Sequence, residues 1–186
     1  MPQNSVYLSF GRHGRYGNDT AIDRTSMLEA YLLGVYLKNN YPLCETIYYS
    51  PIARAVETAK FRALGIGCNH KIETDNLTEN SPKFVIQKFI NQVLLNTDNN
   101  IRHYHFVTHL PVIEKIGLPC LGAGEICLCE AQNWEQMLSE NYSVKIITNP
   151  SFQKIERLLH EMNFTIESIQ MLMPDEIYNK LYEMGK

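Results

Sequence analysis

Apolar positions along most of the chain switch repeatedly between two periods. Short apolar runs bounded by turn residues occur at Ser5–Phe10 (SVYLSF), Glu45–Ser50 (ETIYYS), Lys71–Thr74 and His103–Thr108 (HYHFVT). Two more follow at Glu125–Ala131 (EICLCEA) and Ser143–Thr148 (SVKIIT). Each predicts a β-strand. Between them the spacing becomes helical: Leu28, Tyr31, Leu32, Val35 and Tyr36 share one face of Thr25–Asn39. Pro51–Leu64 and Ser81–Leu95 predict two further helices. Ser50 and Ser81 each precede a proline, so both read as N-caps, with Pro51 and Pro82 at the first helical position, where a missing N–H costs nothing. Gly65 and Gly67 read as the end of the second helix.

Strands alternating with helices of a dozen or so residues predict an α/β domain of three layers, α/β/α, around a mostly parallel sheet. We expect it to fill residues 1–150. Beyond Thr148 the pattern changes. Phe152, Ile155, Leu158, Leu159 and Met162 form one apolar helical face, and another helix begins behind Pro174. Residues 151–186 are therefore expected to be a helical extension, packed on the same domain or docking from it.

The totals narrow the partners. The chain has 186 residues, 45% hydrophobic and 20% charged, with a net charge of −3. This suits an ordinary globular protein, and the absence of a basic stripe argues against nucleic acid or a membrane surface as a general partner. No stretch is apolar for long enough to span a bilayer, and the first residues lack the pattern of a signal peptide. Five scattered cysteines fit a reducing, cytoplasmic setting better than a disulfide framework.

In parallel sheets, ligands sit beyond the C-terminal strand ends. Three motifs fall there. "RHG" (residues 12–14) follows the first strand, "SPIAR" (50–54) the second, and "VTHLP" (107–111) closes the strand at 103–108. Arg12, His13, Arg54 and His109 are thus expected to share one crevice. Arg54 falls in the first turn of its helix, where free N–H groups and the dipole also favour an anion. Guanidinium forks donate bidentately to phosphate oxygens, so the set describes a phosphoryl site.

This constellation resembles the histidine phosphatase superfamily, the phosphoglycerate mutase-like proteins. The likeness rests on "RHG", on "SPIARAVETA" (50–59) and on "VTHLP", in matching order over roughly Ser5 to Thr148. "RHG" alone is weak; the three together are strong. The resemblance implies that His13 is the nucleophile, taking the phosphoryl group as a phosphohistidine. Arg12, Arg54 and His109 would bind the phosphate oxygens, with no metal and no cofactor. The superfamily usually adds a carboxylic acid that protonates the leaving group. Glu79 in "LTENSP" is the nearest match, with Asp75 and Asp19 as fallbacks.

The interval from Pro51 to His109 has room for one short strand and one helix, but not for the long insertion that roofs the site in mutases and acid phosphatases. The compact branch, similar to SixA-type phosphohistidine phosphatases, shares that economy. An open crevice suits a phosphorylated side chain on a partner protein. Imidazole is also a better leaving group than an alkoxide, so a site with only a short match for its acid suits P–N cleavage. Two alternatives stay open: a small-molecule phosphomonoesterase or mutase using the same residues, and a non-catalytic phosphate-binding module.

Two positions depart from the pattern. Arg15 follows "RHG" where small or acidic residues are common; it is expected either to extend the anion site, to select an acidic partner, or to be a rim residue. In the first helix, Leu28 or Glu29 stands where relatives often carry glycine. His103 and His105 are expected to be structural, Cys127 and Cys129 to be core, and His70 and His160 to be solvated. No cysteine has an arginine six residues on, which excludes a cysteine phosphatase, and no P-loop motif exists.

Overall fold

A computed structural model describes residues 5–16, 22–98 and 100–148. The expected extension at 151–186, with His160, and the fallback acid Asp19 lie outside the described residues. The elements in order are β1 (Val6–Arg12), α1 (Arg24–Asn40), β2 (Thr46–Tyr49), α2 (Ala53–Ile66), β3 (His70–Glu73), α3 (Lys83–Leu95), β4 (His103–Thr108), α4 (Leu110–Lys115), β5 (Ile126–Ala131), α5 (Trp134–Leu138) and β6 (Ser143–Ile147). A single 3-10 turn at Asp75–Leu77 joins β3 to α3. No described helix is long and apolar enough to cross a membrane.

The six strands form one sheet in the order β3-β2-β4-β1-β5-β6. The first four run parallel; β5 and β6 are antiparallel additions. Strand alternation sends β1 side chains to two separate cores. Val6, Leu8 and Phe10 pack with Ile86 and Ile90 of α3, Val112 and Ile113 of α4, and Met137 of α5. Tyr7 faces the other way, with Leu33 and Leu37 of α1 and Ala55, Ala59 and Ala63 of α2. The predicted three layers are therefore present. Each fully buried Leu or Ile contributes about 1.5–3 kcal/mol.

Gly65 does not end α2; it packs within it. A Cβ at Gly65 would lie 2.1 Å from the Tyr31 carbonyl oxygen of α1, and one at Gly34 would lie 2.4 Å from the Arg62 carbonyl oxygen. The two helices thus meet backbone to backbone. Gly67, at φ 78°, is the left-handed cap that ends the helix.

Neither expected serine cap forms. Ser50 stays in line with the sheet, its N–H on the Val107 carbonyl at 3.1 Å, so α2 starts at Ala53 behind Ile52. Ser81 turns its hydroxyl to the Asp75 carbonyl at 2.8 Å, leaving Pro82 as the cap residue of α3. The Ser50 side chain is committed to His109 across the sheet, and that of Ser81 to the turn before it. Helices α4 and α5 are too short to show a period in the sequence.

One polar chain crosses the α1/α2 side of the sheet. Arg62, fully buried, donates to His105 Nε2 at 3.2 Å and to the Gly124 carbonyl at 2.9 Å. His105 Nε2 is therefore an acceptor, and Nδ1–H donates to Ser9 Oγ at 2.6 Å. The Ser9 hydroxyl passes its proton toward His103 Nε2 at 2.7 Å, and His103 Nδ1–H ends the chain on the Pro42 carbonyl at 3.2 Å. Burial holds the His103 pKa down to about 4 and that of His105 well below its ordinary value, so both rings are neutral. They are structural, as expected. Cys127 and Cys129 are likewise in the core, while His70 is exposed.

Candidate active site

β1 and β4 are adjacent and parallel, with Arg12 opposite Thr108. His13 and His109 therefore follow the ends of neighbouring strands, and their ring centroids lie 5.1 Å apart. His13 N–H bonds the Thr108 carbonyl at 3.0 Å, which ties the two strand ends together. The turn after His13 is fixed from α2: Gly14 N–H donates to Thr58 Oγ1 at 3.0 Å, and Thr58 donates to the Arg54 carbonyl at 2.7 Å. This explains the threonine in "SPIARAVETA".

His13 Nδ1–H donates to the Gly14 carbonyl at 2.7 Å, which leaves the lone pair on Nε2. Arg54 Nε–H donates to that Nε2 at 3.0 Å, and Arg54 Nη2 also pairs with Glu79 Oε1. His109 Nε2 lies 2.9 Å from Ser50 Oγ. On the other side of the ring, Nδ1 faces the Glu79 carboxylate, which repels a lone pair there, so Nε2 accepts the Ser50 proton. The His109 proton is then on Nδ1, buried, 3.2 Å from Glu79 Oε1 but without a hydrogen-bond partner. Arg12 donates from Nη1 to the Leu121 carbonyl at 2.8 Å, while its buried Nε also lacks a partner among the described residues. Two buried donors without acceptors beside a guanidinium define a cradle for anionic oxygens.

Burial is the main cause that lowers the His13 pKa to about 4, with Arg54 and Arg12 adding to it and the Gly14 hydrogen bond opposing it. Burial, then His13 and Arg54, takes His109 to about 3. Both imidazoles are neutral at pH 7, and His13 needs no base to expose its lone pair.

The structure brings Arg12, His13, Arg54, His109 and Glu79 together. Lys115 of α4 holds the Glu79 loop, donating to the carbonyls of Glu79 at 2.6 Å and Ser81 at 3.1 Å. Asp75 is exposed and makes none of these contacts. Arg15 directs Nη2 to Glu29 Oε1 at 2.6 Å, with Asp23 4.0 Å away. The two departures from the motif pattern, Arg15 and Glu29, are therefore partners. Ser50 and Lys115 carried no sequence signal for these roles, nor did Tyr16, whose ring lies under the Arg54 guanidinium at 4.9 Å.

Donor atoms of His13, Glu79 and His109 lie within 4.8 Å of one another, a spacing that a metal ion also accepts. Arg54 occupies the His13 lone pair and the Glu79 carboxylate, and two guanidiniums repel a dication. The set favours an oxyanion.

No family model and no curated protein matches the sequence. Solved structures do. A protein histidine phosphatase SixA complexed with tungstate aligns with a TM-score of 0.65 at 15% identity, over 77% of this chain and 97% of that one. A phosphohistidine phosphatase SixA from Nakamurella aligns at 0.56 and 14% identity, over 81% and 98%. A mycobacterial glucosyl-3-phosphoglycerate phosphatase aligns at 0.55 and 12% identity, over 76% and 97%. The chain therefore shares its fold with these phosphatases.

Proposed function

We propose that the chain is a metal-independent cytoplasmic phosphatase that passes the phosphoryl group through His13, its substrate being phosphohistidine on a partner protein. The observation that carries this is the His13 tautomer: Nδ1–H is held by Gly14, so the Nε2 lone pair points into a cluster of buried cationic and N–H donors. Nε2 attacks phosphorus in line as the bond to the leaving group breaks; Glu79, released by Arg54 as the phosphate binds and protonated from solvent, gives the departing atom its proton. Water then cleaves the phosphohistidine, returning a proton to Glu79. Arg12, Arg54 and His109 Nδ1–H neutralise the equatorial oxygens, which is most of what phosphoryl transfer asks of a protein.

Support for the phosphohistidine substrate comes from the short interval between α2 and β4, which holds only β3, one turn and α3. The aligned phosphohistidine phosphatases fit the same reading. Glu79 favours a second reading as well. An alkyl phosphate needs an acid for its alkoxide, and an acid stands at the site, as a small-molecule phosphatase requires.

Brief incubation with labelled phosphohistidine protein should leave acid-labile label on wild type and none on His13→Ala. Vanadate should inhibit, and EDTA should not. Full turnover by His13→Ala rejects the mechanism, and loss of activity with EDTA turns the His13–Glu79–His109 cluster into a metal centre. Tight phosphopeptide binding without turnover of any substrate makes the chain a binding module.

A further inference from the structure

The groups around His13 grade sharply in exposure. His109 is 0% and His13 5% exposed, the Arg54 side chain 14%, the Glu79 side chain 39%, and Tyr16 52%. In-line displacement puts the leaving group opposite the nucleophile. His13 is deep, so the leaving group and everything attached to it must lie toward solvent, where Glu79 and Tyr16 stand.

Tyr16 is held in place there. Its ring meets that of His13 edge-on, centroids 5.6 Å apart at 61°, and carries the Arg54 guanidinium over it at 4.9 Å. A backbone bridge to Ile22 anchors it. Among the exposed large apolar side chains of the described residues, Tyr16 alone makes these contacts with the nucleophile and its arginine. A fixed aromatic surface with half its area open is a stacking platform.

We propose that Tyr16 is the specificity residue of this site: its ring forms one wall of the mouth and stacks on planar aromatic leaving groups, selecting them over alkyl ones. This rests on His13 as the nucleophile and deepens the substrate reading, since imidazole is such a ring.

The test compares Tyr16→Ala and Tyr16→Phe with wild type on two matched pairs. Phosphoimidazole and phosphoramidate both cleave P–N; phenyl and cyclohexyl phosphate both cleave P–O. The quantity read is kcat/KM of variant over wild type for each substrate, so intrinsic reactivity cancels. Tyr16→Ala should lose about twofold to tenfold more on the ringed planar member of each pair, the range of one aromatic contact, and Tyr16→Phe should retain the preference. An equal loss on all four substrates, or none, overturns the proposal; in the first case Tyr16 acts only by positioning Arg54. Phosphoenzyme labelling is scored separately. Uniform loss in an enzyme that still labels at His13 removes the Tyr16 proposal alone, whereas absence of both turnover and labelling removes the parent reading with it.

Discussion

Arg54 Nε–H sits on the lone pair of His13 Nε2 at 3.0 Å, so the guanidinium proposed to bind the substrate also masks the proposed nucleophile. In the proposed mechanism, arriving phosphate draws Arg54 onto its own oxygens and so uncovers His13 Nε2.

Replacing Arg54 by Ala should therefore lower kcat/KM by about 10²–10³-fold, the usual loss for a donor that stabilises the transition state. It should also move the acid limb of the pH profile. Arg54 is one of the charges that lower the His13 pKa to about 4. Without it that pKa rises, and activity is lost at a higher pH on acidification. A limb that stays in place would show that His13 does not set it.

Glu79→Gln tests the proton donor. Activity on cyclohexyl phosphate, whose alkoxide needs protonation, should drop by about 10²-fold or more. Activity on phosphoimidazole should fall less. Equal losses on the two would assign Glu79 to holding Arg54, not to proton transfer.

Acid should destabilise the fold before the carboxylates titrate. His13, His103, His105 and His109 all have pKa values lowered by burial, three of them to about 4, 4 and 3. Above about pH 6.5 they are neutral folded or unfolded, and their contribution is fully present. Below that the unfolded chain takes up protons that the native chain does not, so stability falls from pH 6.5 toward 4. Melting temperatures in buffers from pH 7.5 to 4.5 should decline from about 6.5; a flat profile down to pH 5 contradicts the buried neutral rings.

Gly11 and Arg62 should be coupled. A Cβ at Gly11 would fall 1.9 Å from Arg62 Nη1. Gly11→Ala should cost about 1–3 kcal/mol by overpacking. In an Arg62→Ala background the same change should cost less, because the methyl then has room. Urea midpoints of the four proteins measure this; additive costs would place the clash elsewhere.

Much of this architecture was legible in the residues because strand ends and motifs coincide. "RHG", "SPIAR" and "VTHLP" each close a run of strand period, and a parallel sheet can only bring such ends together. Glu79 was legible as a short match, and its carboxylate lies beside Arg54 and His109. The roles of Ser50 and Ser81 were not. A serine before a proline carries the same local signal whether it caps the helix, reaches across to His109 or turns back to Asp75, and only the folded geometry decides. Tyr16 was silent for a like reason, since its contact with Arg54 joins residues far apart in the chain. Arg15 and Glu29 each broke a pattern alone and make sense only as a pair.

The central pairing of β1 with β4 has a kinetic consequence. Ser9 and His105 bond across that pair while lying 96 residues apart in the chain. Contacts of such span close late, because a long loop must be ordered before any of them forms. A chain emerging during synthesis holds His13 and Arg54 well before it holds His109, and its central strand has no neighbours until β4 is made. Recovery of the proposed phosphatase activity on refolding should accordingly trail helix formation, making turnover a marker of the last step of assembly.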